Sequence, residues 1–364
     1  MTAFPTQVLE TALRHGGSGF VYDIPTLQRQ LAVLGALPAD YLYPVKANPI
    51  PEFVACAIER GFGLDLCSRG DVALARAGGA KLERCNFTSA ILPTDLAVEL
   101  AALGISVDVD SPAQTRAWQA AGARDAGARV CTANAASVYG AKFGTTPERL
   151  GEVANALSNG GGQLVGLHLH DAHTNGTFAG MAERLIAVLD AVDDEIMAGC
   201  QYVNLGGGWP AGALDCDIIG EALEHVSARL ARRQFSGRLI VEPGESVAGP
   251  CGWLFARIGA VKSHPLDAMR TVVALDVATP VPCRPTTGPF VVLRAGEILS
   301  TDGDELLADI YGSANTGLDS FALGVVQPAL REGDVLVAAN QGAYVRQLTS
   351  SFNERPLPDA IVLG

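Results

Sequence analysis

The chain has 364 residues, 48% of them apolar, with 26 Lys+Arg against 39 Asp+Glu and a formal net charge of -13. The apolar share argues against a disordered chain, and the length suits one large barrel with an appendage or two domains. The acidic balance argues against nucleic acid and anionic membranes, since both need a basic footprint. Eight cysteines lie scattered in apolar runs with no Cys-x-x-Cys pair, the pattern of reduced core thiols, and no metal site is expected. Met1 to Pro5 lacks the regions of a signal peptide and no apolar run could span a bilayer, so a soluble, cytoplasmic protein is expected.

Residues 19–23 read as a short strand, and Ile24-Pro25 opens a helix with proline in its first turn. A regular alternation follows. Strand-like runs at 41–45, 62–66, 84–87, 105–109, 129–132, 164–169, 202–205 and 238–241 are separated by helical patterns at 53–60, 72–77, 96–103, 113–121, 148–157, 178–193 and 218–233. Eight such units predict parallel βαβ repeats closing into a (β/α)₈ TIM-like barrel over 25–250. From about Trp253 the texture changes to short runs at 254–258, 271–275, 290–293, 335–338 and 360–363 between Pro/Gly-rich turns. This predicts a C-terminal all-β domain, 251–364, which the N-terminal segment 1–24 joins through the strand near Phe20.

In a barrel, chemistry collects where the strands end. The first predicted strand ends in Lys46, the second in Asp65, the sixth in His168, His170 and His173, the seventh in Gly206-Gly207-Gly208, and the eighth in Glu242. Lys46 is either a solvated strand-end lysine or, if desolvated, a Schiff-base amine. The glycines make either a tight turn or a phosphate cradle of backbone N–H groups. His168 is expected to be structural and to point away from the side served by His170. Glu242, closing an apolar strand, needs a cationic partner. An amine, a phosphate cradle, a ring-stacking histidine and a buried carboxylate are together what pyridoxal 5'-phosphate requires.

Taken in order, these segments resemble the fold-type III pyridoxal-phosphate decarboxylases, the family of the diaminopimelate, ornithine and arginine decarboxylases, and closest to the diaminopimelate branch. Tyr43-Pro44-Val45-Lys46-Ala47-Asn48 is similar to Y-A-V-K-A-N, and Gly166-Leu167-His168-Leu169-His170 to G-x-H-x-H. Asn204-Leu205-Gly206-Gly207-Gly208 is similar to the glycine loop, Glu242-Pro243-Gly244 to E-P-G-R, Gly342-Ala343-Tyr344 to G-A-Y, and 352–356 to Y-N-x-R-P. The resemblance implies a Schiff base at Lys46 and His170 stacked on the cofactor. It places Glu242 at the pyridine nitrogen, with Asp65, Gly244 and Tyr344 among the cofactor contacts. It also implies a homodimer with shared active sites acting on a small-molecule amino acid.

The departures carry the specificity. Glu245 replaces the arginine of E-P-G-R, so it turns away from the phosphate, finds a cation or touches the substrate. His173 stands where the family has a serine near the phosphate. In Gly312 to Asp319 the resemblance places the family's proton-donating cysteine at Asn315 and a substrate-reading glutamate at Thr316, while Asp319 keeps the aspartate. Asparagine cannot deliver an acidic proton, so water, Lys46 or another residue must. With Thr316 in place of the glutamate, a substrate other than diaminopimelate is expected, bound by Asn315, Thr316, Asp319, Glu245 and Arg284. An amino-acid racemase with Tyr311 as base, or a catalytically altered relative, are the alternatives.

Overall fold

Short apolar strands joined by helices pair in parallel because each crossover returns the chain to the same end of the sheet. The computed structural model describes residues 4–132, 139–170, 178–209, 214–278, 289–299 and 306–364. Its strands are β1 (Gly19–Asp23), β2 (Asp40–Pro44), β3 (Gly63–Leu66), β4 (Asn86–Thr88), β5 (Ser106–Val109), β6 (Ala126–Arg129), β7 (Leu164–His168), β8 (Tyr202–Asn204) and β9 (Arg238–Val241). Then follow β10 (Gly252–His264), β11 (Asp267–Leu275), β12 (Phe290–Arg294), β13 (Glu297–Ile298), β14 (Leu306–Tyr311), β15 (Ser320–Gln327), β16 (Val335–Ala338) and β17 (Asp359–Leu363). Two compact units result, Gln28–Val247 and Met1–Leu27 with Ala248–Gly364.

In the first unit β2 to β9 pair in sequence order, and β9 returns to β2 through Asp40↔Ile240 and Tyr41↔Val241, closing the expected parallel barrel. Serines end strands and start helices there. Ser68 accepts from the Asp71 N–H and Ser111 from the Gln114 N–H, capping the helices Arg69–Ala77 and Pro112–Ala120.

One strand is displaced from its expected place. The run 129–132 is not a strand; β6 lies at Ala126–Arg129, and Val130 makes only an isolated bridge to Thr145. Ala-Gly-Ala is a weak strand sequence, but the barrel interior requires it. A Cβ on Gly127 would strike both Asp108 and the Tyr202 hydroxyl, and one on Gly166 would enter the Tyr202 ring. Gly166→Ala therefore overpacks the barrel. We expect a loss of about 2 kcal/mol, measured as a lower denaturation midpoint at unchanged m-value.

The second unit is all-β apart from short helices and the helix Thr6–His15, whose Val8 and Ala12 pack with Val21, Trp253, Phe255 and Val337. Among the described residues its sheet has nine strands, ordered β13-β12-β16-β10-β11-β14-β15. As expected, β1 joins it, antiparallel to β10 and parallel to β17. The strands β14 and β15 escape the sequence patterns. Buried Asp309, bonded by Arg270, interrupts the apolar run of the first, and Gly324 at φ +62° interrupts the second. Among the described residues no helix is long and apolar enough to cross a membrane.

Candidate active site

The turn that carries Lys46 is built by its own motif. β2 ends at Pro44, a single 3₁₀ turn spans Val45–Ala47, and the Tyr43 hydroxyl donates to the Asn48 carbonyl at 2.9 Å. Pro49 and Pro51 forbid continuation of that turn. The Lys46 amine pairs with Asp65 Oδ2 in β3, while Asp65 Oδ1 is buried with no partner among the described residues. Burial, reinforced by the Glu242 charge, raises the Asp65 carboxyl to about 6 against the pull of Lys46.

The glycine loop is stitched to its neighbours. Asn204, closing β8, donates Nδ2 to Glu242 Oε1 at 2.6 Å and accepts the Gly206 N–H at 2.9 Å. Gly206 at φ +70° and Gly208 at +90° lie in the left-handed region. A Cβ on Gly206 would strike the Leu169 carbonyl, and one on Gly207 the Glu242 carbonyl. The Gly207 N–H donates to His170 Nδ1 at 3.2 Å, so that nitrogen offers a lone pair. Burial first, then the Arg129 and Lys46 charges, lower the His170 pKa and keep the ring neutral. Of the three glycines, only Gly208 keeps an N–H without a bond to another described residue.

His168 departs from expectation. Residues two apart on a strand share a face, and His168 does not point away from the site. Its Nδ1 lies 2.9 Å from Asp108 Oδ2, and its Nε2 lies 2.7 Å from Arg129 Nη1 and 3.3 Å from Glu242 Oε2. Glu242 is buried. Desolvation alone would raise its carboxyl, but His168, Lys46 and Asn204 outweigh it and hold the pKa well below the usual range. Lys46, Asp65, His170, Gly206, Gly207 and Glu242 are thus brought together. Gly244 is buried in the turn after β9, and Glu245 is half-buried at the start of the helix Glu245–Ala248.

The residues expected from the C-terminal segment belong to the second unit. Asn315 is exposed and its N–H donates to Asn353 Oδ1 at 2.9 Å. Thr316 Oγ1 accepts from the Leu318 N–H at 3.2 Å. Asp319 is buried and accepts the Ala314 N–H at 2.7 Å, so its carboxylate braces its own loop. Tyr344 is half-buried at φ +58°, and Tyr311 closes β14. His173 and Arg284 lie outside the described residues.

The family model for "Pyridoxal-dependent decarboxylase, pyridoxal binding domain" matches residues 25–249. The chain belongs to this family. Similar proteins include the diaminopimelate decarboxylase of Deinococcus radiodurans, 27% identical over 97% of this chain and 92% of that one. Another is that of Actinosynnema pretiosum subsp. auranticum, 28% identical over 97% and 85%. The lysine/ornithine decarboxylase of Vibrio vulnificus, solved with putrescine, shares the fold with a TM-score of 0.81, at 18% identity over 100% of this chain and 99% of that one. This decarboxylase therefore uses pyridoxal phosphate, and its residues fit the group. An amine sits beside an unpartnered carboxylate oxygen, a glycine turn has no room for side chains, and Trp209 Nε1 and Ser246 Oγ are buried donors with no partner among the described residues.

Five residues at this centre escaped the sequence patterns as site candidates: Asn204, His168, Asp108, Arg129 and Tyr202. The available signal was charge inside buried strands, Asp108 in Ser-Val-Asp-Val and Arg129 closing Ala-Gly-Ala-Arg, because such groups require partners.

Proposed function

We propose that the enzyme decarboxylates the α-carbon of an amino acid other than diaminopimelate. The observation that carries the site assignment is the meeting of Lys46, Asp65, His170, Glu242 and the Gly206–Gly207 backbone at strand ends of one barrel. The substrate assignment rests on Asn315 and Thr316, since neither carries a carboxylate to pair with a second ammonium group or a thiol to donate a proton. The diaminopimelate specificity named for the D. radiodurans and A. pretiosum relatives is the outcome that would correct it.

Bound at this site, pyridoxal phosphate supplies an electron-accepting ring for the charge left on the α-carbon when CO₂ departs. The chain supplies the rest. Lys46 provides the attaching amine, and Asp65 Oδ2, with its carboxyl raised to about 6, takes up or returns the proton at Nζ. Glu242 stays ionised and would hold positive charge at the ring nitrogen. His170, kept neutral, would cover one ring face without repelling that charge. Gly208, Trp209 and Ser246 offer donors toward the phosphate, a role in which Glu245 cannot replace arginine. Asn315 orients substrate, and water or the Lys46 amine returns the proton to carbon.

Two copies share each site in this reading, with the loop 312–319 of one subunit serving the Lys46 of the other. Mixing Lys46→Ala with Asp319→Ala protein then gives mixed dimers with one intact site, and random assortment recovers about a quarter of wild-type activity. Recovery of none, with exchange of subunits demonstrated, would remove the shared-site assignment.

A further inference from the structure

His168 has no part in the chemistry above, yet its surroundings are those of a working group. The ring is 1% exposed and meets ionisable or polar side chains from four other strands. From β4, Thr88 Oγ1 lies 3.0 Å from Nδ1; from β5, Asp108 lies 2.9 Å away. Asp110, just beyond β5, acts on the ring at longer range. From β6 comes Arg129 and from beyond β9 comes Glu242, both at Nε2. His170, also near, is kept neutral and carries no charge, and Lys46 acts on Glu242.

The protons can be assigned by donor and acceptor rules. Asp108 receives Tyr202 OH, Asn86 Nδ2 and Thr88 Oγ1 as well as His168. Its oxygens accept, so Nδ1 carries a proton. Nε2 is then the one atom of the ring free to change. Arg129 can only donate and calls for a lone pair there; ionised Glu242 can only accept and calls for N–H. The charges favour Glu242. The carboxylates Asp65, Asp108 and Glu242, with Asp110 at longer range, outnumber the cationic side chains Lys46 and Arg129, so a proton on His168 brings the charges closer to balance. Burial disfavours the imidazolium, and Arg129 opposes it, but Glu242 and Asp108 raise the His168 pKa above its ordinary value.

Resting on the assignment of Glu242 to the cofactor's ring nitrogen, we propose that Asp108 and His168 form a positioning pair behind Glu242. Asp108 fixes the tautomer, and the His168 imidazolium keeps Glu242 ionised and aimed at that nitrogen. The ring end of the cofactor is read by the relay Asp108–His168–Glu242 rather than by one carboxylate.

The test is binding of pyridoxine 5'-phosphate, which lacks the aldehyde and so bypasses attachment at Lys46. Titration calorimetry on full-length, cofactor-stripped protein is run between pH 5.5 and 8.5. Removing the cation beside Glu242 raises the Glu242 pKa, and affinity falls as pH falls through it. His168→Phe should therefore bind about tenfold or more weakly at pH 6 and within about threefold of wild type at pH 8.5. Asp108→Asn, which keeps the side-chain shape, should move the acid limb the same way by a smaller amount, and it decides the matter if the Phe variant does not fold. Curves that superimpose on wild type, or a loss equal at every pH, overturn the proposal, the second showing a packing role only. Glu242→Gln is the control: weak binding without an acid limb supports the Glu242 assignment, whereas wild-type binding overturns that assignment and the relay with it.

Discussion

Lys46→Ala leaves a protein that folds but cannot attach its cofactor. Borohydride reduction of the wild-type holoenzyme should fix the cofactor mass on the peptide containing Lys46, and the variant should show no such adduct and no visible absorbance. Decarboxylation should fall at least about 10⁴-fold, the scale on which loss of a covalent nucleophile is felt. The structural reasons are local. Lys46 is the amine held at Asp65, and its side chain is 40% exposed, so alanine removes a reacting group without opening a cavity in the core. Retention of the adduct on another lysine, Lys81, Lys142 or Lys262, would displace the central assignment. Loss of activity with a parallel loss of thermal stability would instead mark Lys46 as a structural ion-pair partner.

Exchange of two residues in the second unit should change what the enzyme accepts. Wild-type protein, offered a panel of amino acids with CO₂ release as the readout, should turn over diaminopimelate poorly. The double variant Asn315→Cys/Thr316→Glu adds a thiol that can donate a proton and a carboxylate that can meet a distal ammonium group. Its kcat/KM for diaminopimelate should rise about 10- to 100-fold, with a fall for the native substrate. The exchange is structurally mild. Asn315 is exposed, and the bond that fixes it, to Asn353 Oδ1, uses its backbone N–H. Thr316 loses one hydroxyl contact, to the Leu318 N–H. Efficient wild-type turnover of diaminopimelate would show that a thiol and glutamate are dispensable here, and would align this enzyme with the diaminopimelate decarboxylases it resembles.

Much of this was legible in the order of residues. Parallel βαβ repeats leave a periodic record, because strands buried on both faces are continuously apolar and crossover helices are amphipathic. The barrel, the β character of the last third and the joining of β1 to it all follow from such local patterns. So does the position of Lys46, Asp65, His170, the glycines and Glu242, since barrel topology places every strand's C-terminal end on one rim. The patterns failed where a residue answers to something distant in sequence. β6 lies three residues before its expected place because Gly127 is small for the sake of Tyr202 and Asp108, 75 and 19 positions away. β14 leaves no strand pattern because Asp309 is tolerated there only through Arg270.

Family and cofactor are written in residue order, as are the strand-end positions of Lys46, Asp65 and Glu242, because these depend on spacing along the chain and on chemistry that few residue types provide. What the buried polar groups do is set by the three-dimensional packing. Whether Glu242 is ionised, whether His170 is neutral and whether His168 is idle depend on charges brought from several strands, and desolvation makes each of those charges count. No periodicity records that. It is a property of the closed barrel, whose interior leaves an unpaired ion no water to turn to.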